Sequence, residues 1–285
     1  MRLCRFNDDQ LGLVEDDVIR DVSAALDVLP SARWPYPLGD ALISNLDAVR
    51  ERVGEMRGQA EPYPTNSVFL KAPVGNPTKV VAAPVNYMKH LEEAIDDPET
   101  FSREHVRKIQ ETGLFLKAVS AIVGPSDGVK LRKTDRRNDH EIELVAVIGR
   151  KADRVSRDEA LDYVAGYTIG LDMTIRGPEE RSLRKSIDSY CVLGPWLVTA
   201  DEIPDPSGLS LELKVNGEVR QSANTKDLII DVPGLIEFAS SFYTLQPGDV
   251  LMTGTPEGVG PVHPGDTITA EIKGVGVMNV GVSAA

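Results

Sequence analysis

The chain has 285 residues, of which 31 are Lys or Arg and 44 are Asp or Glu, so its formal net charge is −13. A surface this acidic repels phosphate backbones and anionic lipid, and the sequence holds no Lys/Arg cluster that could form a basic face, which argues against nucleic-acid and membrane partners. The hydrophobic share of 41% is ordinary for a globular enzyme, and the length suits one large domain or one large and one small domain.

The cysteine usage bears on the compartment. Cys4 and Cys191 lie far apart in the sequence and form no metal-type pair, which is typical of a reducing compartment. The N-terminal residues lack the long apolar core of a secretory signal, and no apolar stretch reaches the length of a transmembrane helix. We therefore expect a cytoplasmic protein.

The first 75 residues carry the signals of a small domain. Three short segments, RLCRF, LGLVED and DVIRDV, predict an antiparallel meander. Residues 39–57 place apolar side chains at helical spacing. A proline-rich stretch follows, with prolines at positions 62, 64, 73 and 77. We predict a small N-terminal α/β domain over residues 1–75 and a larger domain over residues 76–285.

The segment VNYMKHLEEA places Glu93 three residues after His90. If the segment is helical, the two side chains share a face, and the carboxylate can hold the imidazole in one tautomer and raise its basicity. Such a pair of orienting group and general base activates water. A surface helix rich in glutamate produces the same pattern.

The polar residues 89–113 predict a lid.

The segment NDHEIELVAVIG, residues 138–149, alternates Asp139, Glu141 and Glu143 with His140, Ile142 and Leu144. On a strand these acids share one face, and the valines that continue this face imply burial. A divalent cation would remove the repulsion between buried carboxylates, and Asp172, at the end of another apolar run, offers a third ligand. Oxygen ligands alone favour Mg²⁺, Mn²⁺ or Ca²⁺ over zinc. A solvent-facing acidic strand is the competing interpretation, and Asp139 has no assigned role.

The remaining segments alternate strand and turn signals with a few helices. A capping box that starts at Ser156 predicts a helix, and Asn216-Gly217 predicts a hairpin. Residues 253–260, TGTPEGVG, lack the ending of a phosphate loop and are interpreted as a loop whose backbone approaches a ligand closely. Because strands outnumber helices without regular alternation, we predict a β-dominated α+β fold with a mixed-β core.

Seven segments resemble the fumarylacetoacetate hydrolase family when they are taken together in this order. They are NYMKHLEEA, LFLKAVSAIVGP, HEIELVAVIGR, DYVAGYTIGLDMTIR, KSIDSYCVLGPWLV, LKVNGEVRQ and GDVLMTGTPEGVGPV. The resemblance implies a twisted mixed β-roll over residues 76–285 as catalytic core, usually in a homodimer, and an acylpyruvase-like member.

The resemblance also implies roles for individual residues. The metal ligands would be Glu141, Glu143 and Asp172, holding Mg²⁺ or Mn²⁺, with Ca²⁺ able to take the same oxygen ligands in crystals. The catalytic residues would be His90, Glu93 and Lys185. The substrate-binding residues would be Asn86, Tyr87, Arg176, Gln221 and Thr255.

The implied activity is hydrolysis of a carbon–carbon bond in a 2,4-dioxo acid of the acylpyruvate or fumarylpyruvate type. His90 would take a proton from the attacking water, Lys185 and Thr255 would stabilise the oxyanion, and cleavage would leave the enolate of pyruvate at the metal. A small anionic 2-oxo acid from organic-acid or aromatic catabolism is the expected substrate.

Other activities stay open at this point. Decarboxylation, hydration or isomerisation of a related 2-oxo acid such as oxaloacetate would need the same metal ligands. A metal nuclease is disfavoured because the chain is acidic. A non-catalytic organic-acid binder would need the metal and the pocket but not His90.

Overall fold

A computed structural model of the chain describes residues 1–58, 60, 62–96 and 109–285. Within these residues the strands form three sheets, of twelve, three and five strands. Both parallel and antiparallel pairs occur, so the predicted β-dominated α+β fold with a mixed core is confirmed. No helix in this part of the chain is long and apolar enough to cross a membrane.

The strands follow one another along the chain with few helices between them. In the first half they are β1 (Arg2–Phe6), β2 (Gln10–Glu15), β3 (Val18–Asp21), β4 (Pro62–Pro64), β5 (Leu70–Lys71), β6 (Val80–Ala82), β7 (Phe115–Lys117), β8 (Ile122–Val123), β9 (Val129–Leu131), β10 (Asn138–His140) and β11 (Ile142–Ile148). In the second half they are β12 (Val164–Asp172), β13 (Thr174–Ile175), β14 (Cys191–Thr199), β15 (Ser210–Val215), β16 (Glu218–Asn224), β17 (Val250–Met252), β18 (Gly260–Pro261), β19 (Thr267–Ile272) and β20 (Gly276–Ala284). The α-helices are α1 (Ala41–Ser44), α2 (Leu46–Met56), α3 (Met88–Asp96), α4 (Ile109–Thr112), α5 (Arg181–Lys185) and α6 (Val232–Phe242).

The large sheet runs in the order β4-β3-β2-β1-β14-β12-β11-β17-β6-β7. Its first strands are the predicted N-terminal meander, and β1 joins it to the rest by pairing antiparallel with β14. Leu3 of β1 and Val49 of α2 share a hydrophobic cluster with Val147 and Leu197 of the central strands. The N-terminal segment therefore extends the sheet and core of the larger segment, and a domain boundary near residue 75 stays a prediction.

The centre of the large sheet explains why the acidic segment runs into valines. Every residue of β11 and of β12 is buried, because β11 lies between β12 and β17 and both faces of the sheet are covered. A strand covered on both faces is apolar at successive positions rather than at alternate ones. The alternation of Glu141 and Glu143 thus marks the end of a central strand and not a solvent face.

Two local predictions have different outcomes. Asn216 and Gly217 both have positive φ angles, of 52° and 83°, and they join β15 to β16 as the predicted hairpin turn. At Ser156 a helix does begin, but it is a 3-10 helix, Arg157–Tyr163. The prediction of a capping box is wrong, because the Ser156 side chain caps no backbone amide. Its hydroxyl instead donates to Glu159 Oε2 at 2.8 Å.

Candidate active site

The carboxylates of Glu141, Glu143 and Asp172 come together where the small sheet meets the large one. Glu141 is the single residue between β10, in the three-stranded sheet, and β11, in the large sheet. β12 runs antiparallel to β11 with Leu171 opposite Ile142, and the Asp172 amide donates to the Glu141 carbonyl at 2.9 Å. One ligand oxygen from each acid lies within 4.8 Å of the others, and all three residues are buried. We call this cluster the carboxylate triad.

Two lysines contact the carboxylate triad. Lys185, the last residue of α5, donates to Glu141 Oε2 at 2.7 Å and to Asp172 Oδ2 at 2.6 Å. Lys117, at the end of β7, donates to Asp172 Oδ1 and to the carbonyl of Lys185. Both Asp172 oxygens therefore have a cationic partner, and so does Glu141.

Glu143 has no lysine or arginine partner among the described residues, and its pKa therefore differs from that of Glu141. Burial would raise the pKa of Glu141, but the charges of Lys185 and Arg176 lower that pKa to about 2. Burial and the charge of Asp172 raise the pKa of Glu143 well above its usual range. A buried set of oxygen donors with one charge left uncompensated fits a hard divalent cation.

The TGTPEGVG loop holds two of the predicted carboxylates through backbone amides. The Gly254 amide donates to Glu143 Oε2 at 2.6 Å, and the Gly258 amide donates to Glu93 Oε1 at 3.1 Å. Gly254 has a φ of 98°, and a Cβ on it would lie 2.7 Å from the Asn86 Cβ. Only glycine allows this backbone conformation and this approach at low cost. The backbone of this loop thus approaches two side chains of the predicted site closely, and its approach to a ligand stays a prediction.

His90 and Glu93 lie on α3, so the helix on which their pairing depended is present. His90 Nδ1 is 3.0 Å from Glu93 Oε2, and the imidazole is buried. Among the interactions that lower the pKa of Glu141, the one with His90 is weaker than those with Lys185 and Arg176, and it places the ring within electrostatic reach of the carboxylate triad. The structure therefore brings the predicted base and the predicted metal ligands to one site.

Asp139, which had no assigned role, is a partner of arginines. It lies on β10 and is fully buried. Arg176 Nε donates to Asp139 Oδ2 at 2.6 Å, and Arg137 Nε donates to Asp139 Oδ1 at 2.8 Å. Arg176 Nη2 also lies 3.4 Å from Glu141 Oε1. Asp139 thus fixes the guanidinium of Arg176 beside the carboxylate triad.

Asn86 and Tyr87, predicted to bind substrate, precede α3 and are buried. The Asn86 side chain donates to the carbonyls of Ile230 and Thr253 and accepts from the Ile230 amide, all within 2.8 Å. Its polar atoms are therefore used within the protein. The Tyr87 hydroxyl has no hydrogen-bond partner among the described residues. Burial, with a contribution from the charge of Glu143, raises the pKa of Tyr87, so the phenol stays protonated.

Gln221 and Thr255, also predicted to bind substrate, bond to each other. Gln221 Nε2 donates to Thr255 Oγ1 at 2.8 Å, and Gln221 Oε1 accepts from the Ile142 amide at 3.1 Å. Both side chains are buried. Gln221 thus ties the TGTPEGVG loop to the start of β11, beside the carboxylate triad.

Lys117, which no sequence pattern predicted to be functional, is fully buried at the carboxylate triad. Its one signal is a lysine that ends the short apolar segment LFLK. The predicted lid, residues 89–113, falls partly outside the described residues, which include α3 and α4 but not residues 97–108.

Comparison with known proteins shows which proteins the chain resembles. Residues 79–283 match the family described as fumarylacetoacetate (FAA) hydrolase C-terminal. The chain is 54% identical over 284 residues to maleylpyruvate hydrolase of Aquipseudomonas alcaligenes, covering 99% of each chain. It is 38% identical over 235 residues to the mitochondrial oxaloacetate tautomerase of Rattus norvegicus, covering 78% of this chain and 72% of the rat protein.

A solved structure is similar over the full length. It is the maleylpyruvate hydrolase of Sphingobium sp. SYK-6 in complex with manganese(II) ion and pyruvate, with 40% identity, a TM-score of 0.84 and coverage of 100% of both chains.

Proposed function

This chain belongs to the fumarylacetoacetate hydrolase family, and we propose that it is a metal-dependent hydrolase that cleaves a carbon–carbon bond in a 2,4-dioxo acid of the acylpyruvate type. One observation carries the proposal. The three buried carboxylates and the His90–Glu93 pair lie at one site, in a chain that is 54% identical to a maleylpyruvate hydrolase over 99% of its length. A 2,4-dioxo acid with an unsaturated acyl chain, of the maleylpyruvate or fumarylpyruvate kind, is the proposed substrate.

The residues proposed to hold the metal are Glu141, Glu143 and Asp172. Their donors are all oxygens, which suits Mg²⁺ or Mn²⁺, and the similar Sphingobium enzyme binds manganese(II). When bound, the ion supplies a Lewis acid for the carboxylate and the 2-oxo oxygen of the substrate. The raised pKa of Glu143 supports the assignment, because a dication would favour the ionised form of this carboxyl directly.

His90 is proposed as the general base. The contact between its Nδ1 and Glu93 Oε2 fixes the tautomer with the proton on Nδ1, so the basic lone pair is on Nε2. Nε2 takes a proton from the water that attacks the acyl carbonyl carbon of the substrate, and Glu93 stabilises the resulting imidazolium. The Gly258 amide holds Glu93 in place while this charge develops.

Lys185 and Thr255 are proposed to stabilise negative charge on the substrate. The Lys185 ammonium lies on the carboxylate triad, so it faces the same space as the metal ligands. Gln221 donates to the Thr255 oxygen, so Thr255 acts toward a substrate oxygen as a hydrogen-bond donor. Arg176, held by Asp139, and the Tyr87 hydroxyl are the proposed donors to the substrate carboxylate.

A second candidate is enolisation of oxaloacetate or a similar 2-oxo acid. The rat tautomerase, at 38% identity over 78% of this chain, favours it. Tautomerisation moves a proton and needs no attacking water, whereas His90 and Glu93 are arranged for water activation. Oxaloacetate is therefore the comparison substrate of choice.

We infer further that the protein is a homodimer, as is usual in the family it resembles. Trp34, Tyr36 and Leu38 are largely exposed within five residues of one another. Such an apolar segment is of the kind that subunit contacts cover. Light scattering coupled to size-exclusion chromatography tests this inference.

An ultraviolet assay tests the proposed function. Acylpyruvates and oxaloacetate are offered with Mg²⁺ or Mn²⁺, with and without a chelator, to the wild type and to Glu141→Gln. We expect metal-dependent cleavage of acylpyruvates that Glu141→Gln abolishes and that the surface variant Glu212→Gln retains. Turnover that survives complete metal removal, or full metal affinity in Glu141→Gln, contradicts the proposal.

A further inference from the structure

Arg181 and Lys185 pack on the same aromatic ring. They are the first and last residues of α5, four positions apart, so they share one face of the helix. The Arg181 guanidinium lies 5.4 Å from the centroid of the Phe115 ring, and the Lys185 ammonium lies 5.6 Å from it. Phe115 and Lys117 alternate with the exposed Leu116 on β7, so the ring is on the face of the strand that bears the Lys117–Asp172 ion pair. Arg181 therefore lies at the edge of the active site.

The two cations differ in their partners. Lys185 donates to Glu141, Asp172 and Thr174. The Arg181 guanidinium makes no hydrogen bond or ion pair with any residue in the described part of the chain. Acidic side chains are present near α5, since the neighbouring Arg136 forms a two-pronged ion pair with Glu179. A shortage of acids therefore does not explain why Arg181 has no ion-pair partner among the described residues.

The unpaired guanidinium is also partly withdrawn from water. Burial lowers the pKa of Arg181, while the charges of Glu141, Glu180 and Asp172 act in the opposite direction. A partly buried guanidinium without a protein partner keeps only part of its hydration, and an aromatic face offsets only part of this loss. A carboxylate that arrives with a ligand would satisfy this group, because guanidinium and carboxylate form two parallel hydrogen bonds.

We propose that Arg181 binds the distal carboxylate of a dicarboxylic acylpyruvate and thereby selects such substrates over monocarboxylic ones. This inference rests on the proposed function. Lys185 hydrogen-bonds to the carboxylate triad, and Arg181 is separated from it by about 6 Å of rise along α5, one helical turn. A substrate whose 2-oxo acid end lies at the triad extends its acyl chain away from it, so a carboxylate at the end of that chain reaches the Phe115 ring and Arg181.

Binding of unreactive 2-oxo acids tests the inference without turnover. The Mn²⁺-loaded protein is titrated calorimetrically with 2-oxoheptanedioate, whose distal carboxylate is C7 as in maleylpyruvate, and with 2-oxoheptanoate, which has the same chain length and no distal carboxylate. We expect Arg181→Met to weaken 2-oxoheptanedioate binding about tenfold to a hundredfold, as for a lost hydrogen bond between charged groups, and to leave 2-oxoheptanoate binding unchanged. Arg181→Lys is expected to retain part of the preference.

Arg150→Met is the matched control, because the Arg150 guanidinium also lies over an aromatic ring, that of Tyr163, at 4.2 Å. It should bind both ligands like the wild type. Equal weakening of both ligands in Arg181→Met indicates a structural role and overturns the inference, and so does unchanged binding of both.

Steady-state kinetics separates this inference from the proposed function. In the wild type we expect maleylpyruvate to be cleaved with a lower KM than acetylpyruvate, and Arg181→Met to raise the KM for maleylpyruvate alone. A wild type that cleaves both substrates without preference overturns the role of Arg181 and leaves the proposed function intact. A wild type that cleaves neither overturns the proposed function, and the role of Arg181 falls with it.

Discussion

The Gly254 amide donates to Glu143 Oε2 at 2.6 Å, so a backbone group orients the one acid of the carboxylate triad that has no cationic partner among the described residues. Four residues later the Gly258 amide donates to Glu93, the partner of His90. One loop therefore positions both a proposed metal ligand and the residue proposed to orient the base. Its backbone conformation should matter for both metal binding and catalysis.

Gly254→Ala is expected to weaken metal binding at least tenfold. The new Cβ would lie 2.7 Å from the Asn86 Cβ and would move the amide away from Glu143. Gly274→Ala is the matched control, because Gly274 has a similar φ of 86° but no atom within 4 Å of a Cβ. Both variants lose about 1–2 kcal/mol of stability from the left-handed backbone. Equal Mn²⁺ affinities of the two variants, measured by electron paramagnetic resonance, would refute the role of the Gly254 amide.

The burial of the acidic pair could be predicted from the sequence because two local signals coincide at Glu141 and Glu143, whereas their role as metal ligands stays a prediction. The alternation of side chains along a strand places the two acids on one face, and the valines that follow on this face imply that it is buried. Lys117 could not be predicted, because its position depends on how β7 pairs with β6 and how α5 packs on it. A lysine at the end of an apolar strand is far more often a solvated side chain.

Lys117→Met is expected to destabilise the metal-free protein by about 3–5 kcal/mol, because it removes one partner of a buried ion pair and leaves Asp172 Oδ1 without its cation. Added Mn²⁺ should restore part of this stability by supplying positive charge to the same acid. Urea unfolding with and without Mn²⁺ measures both effects. Lys130→Met removes an exposed lysine from β9 and should change stability by less than about 0.5 kcal/mol. A Lys117 variant as stable as the Lys130 variant would contradict the contact with Asp172.

The roles of the amides show where sequence reasoning ends. Asn86 and Gln221 were predicted to bind substrate, and both use their side-chain hydrogen bonds on backbone groups or on residues of adjacent loops. An amide near a site serves either purpose with the same donors and acceptors. Whether such an amide binds substrate or groups of the protein itself depends on how distant strands pair, and no local sequence pattern encodes this pairing. Asp139 is a similar case, since its arginine partners include one 37 positions away.

His90→Asn is expected to lower kcat by about 10²–10⁴-fold, the usual contribution of a general base, and to leave Mn²⁺ affinity within about twofold of the wild type. Glu93→Gln should lower kcat less, because the imidazole keeps a hydrogen-bond partner but loses the charge that stabilises its protonated form. Glu92→Gln changes the exposed neighbouring glutamate and should behave like the wild type. Steady-state kinetics at saturating Mn²⁺ measures these effects. If His90→Asn retained full turnover of an acylpyruvate, the role of His90 as general base would be refuted.

Cys4 and Cys191 are expected to be unreactive in the folded protein. Burial raises the pKa of Cys4 and of Cys191 to about 12 each. A raised thiol pKa keeps the group protonated until the pH approaches that value, so at pH 8 the thiolate fraction is about 10⁻⁴, against roughly a quarter for a free thiol. Ellman's reagent at pH 8 should therefore titrate essentially no thiol in the native protein and both thiols in guanidinium chloride. Because Cys191 lies opposite Asp172 in the sheet, it also reports on the site. Rapid modification of one thiol in the native, metal-loaded protein, absent in Cys191→Ala, would contradict the burial of β14 beside the carboxylate triad.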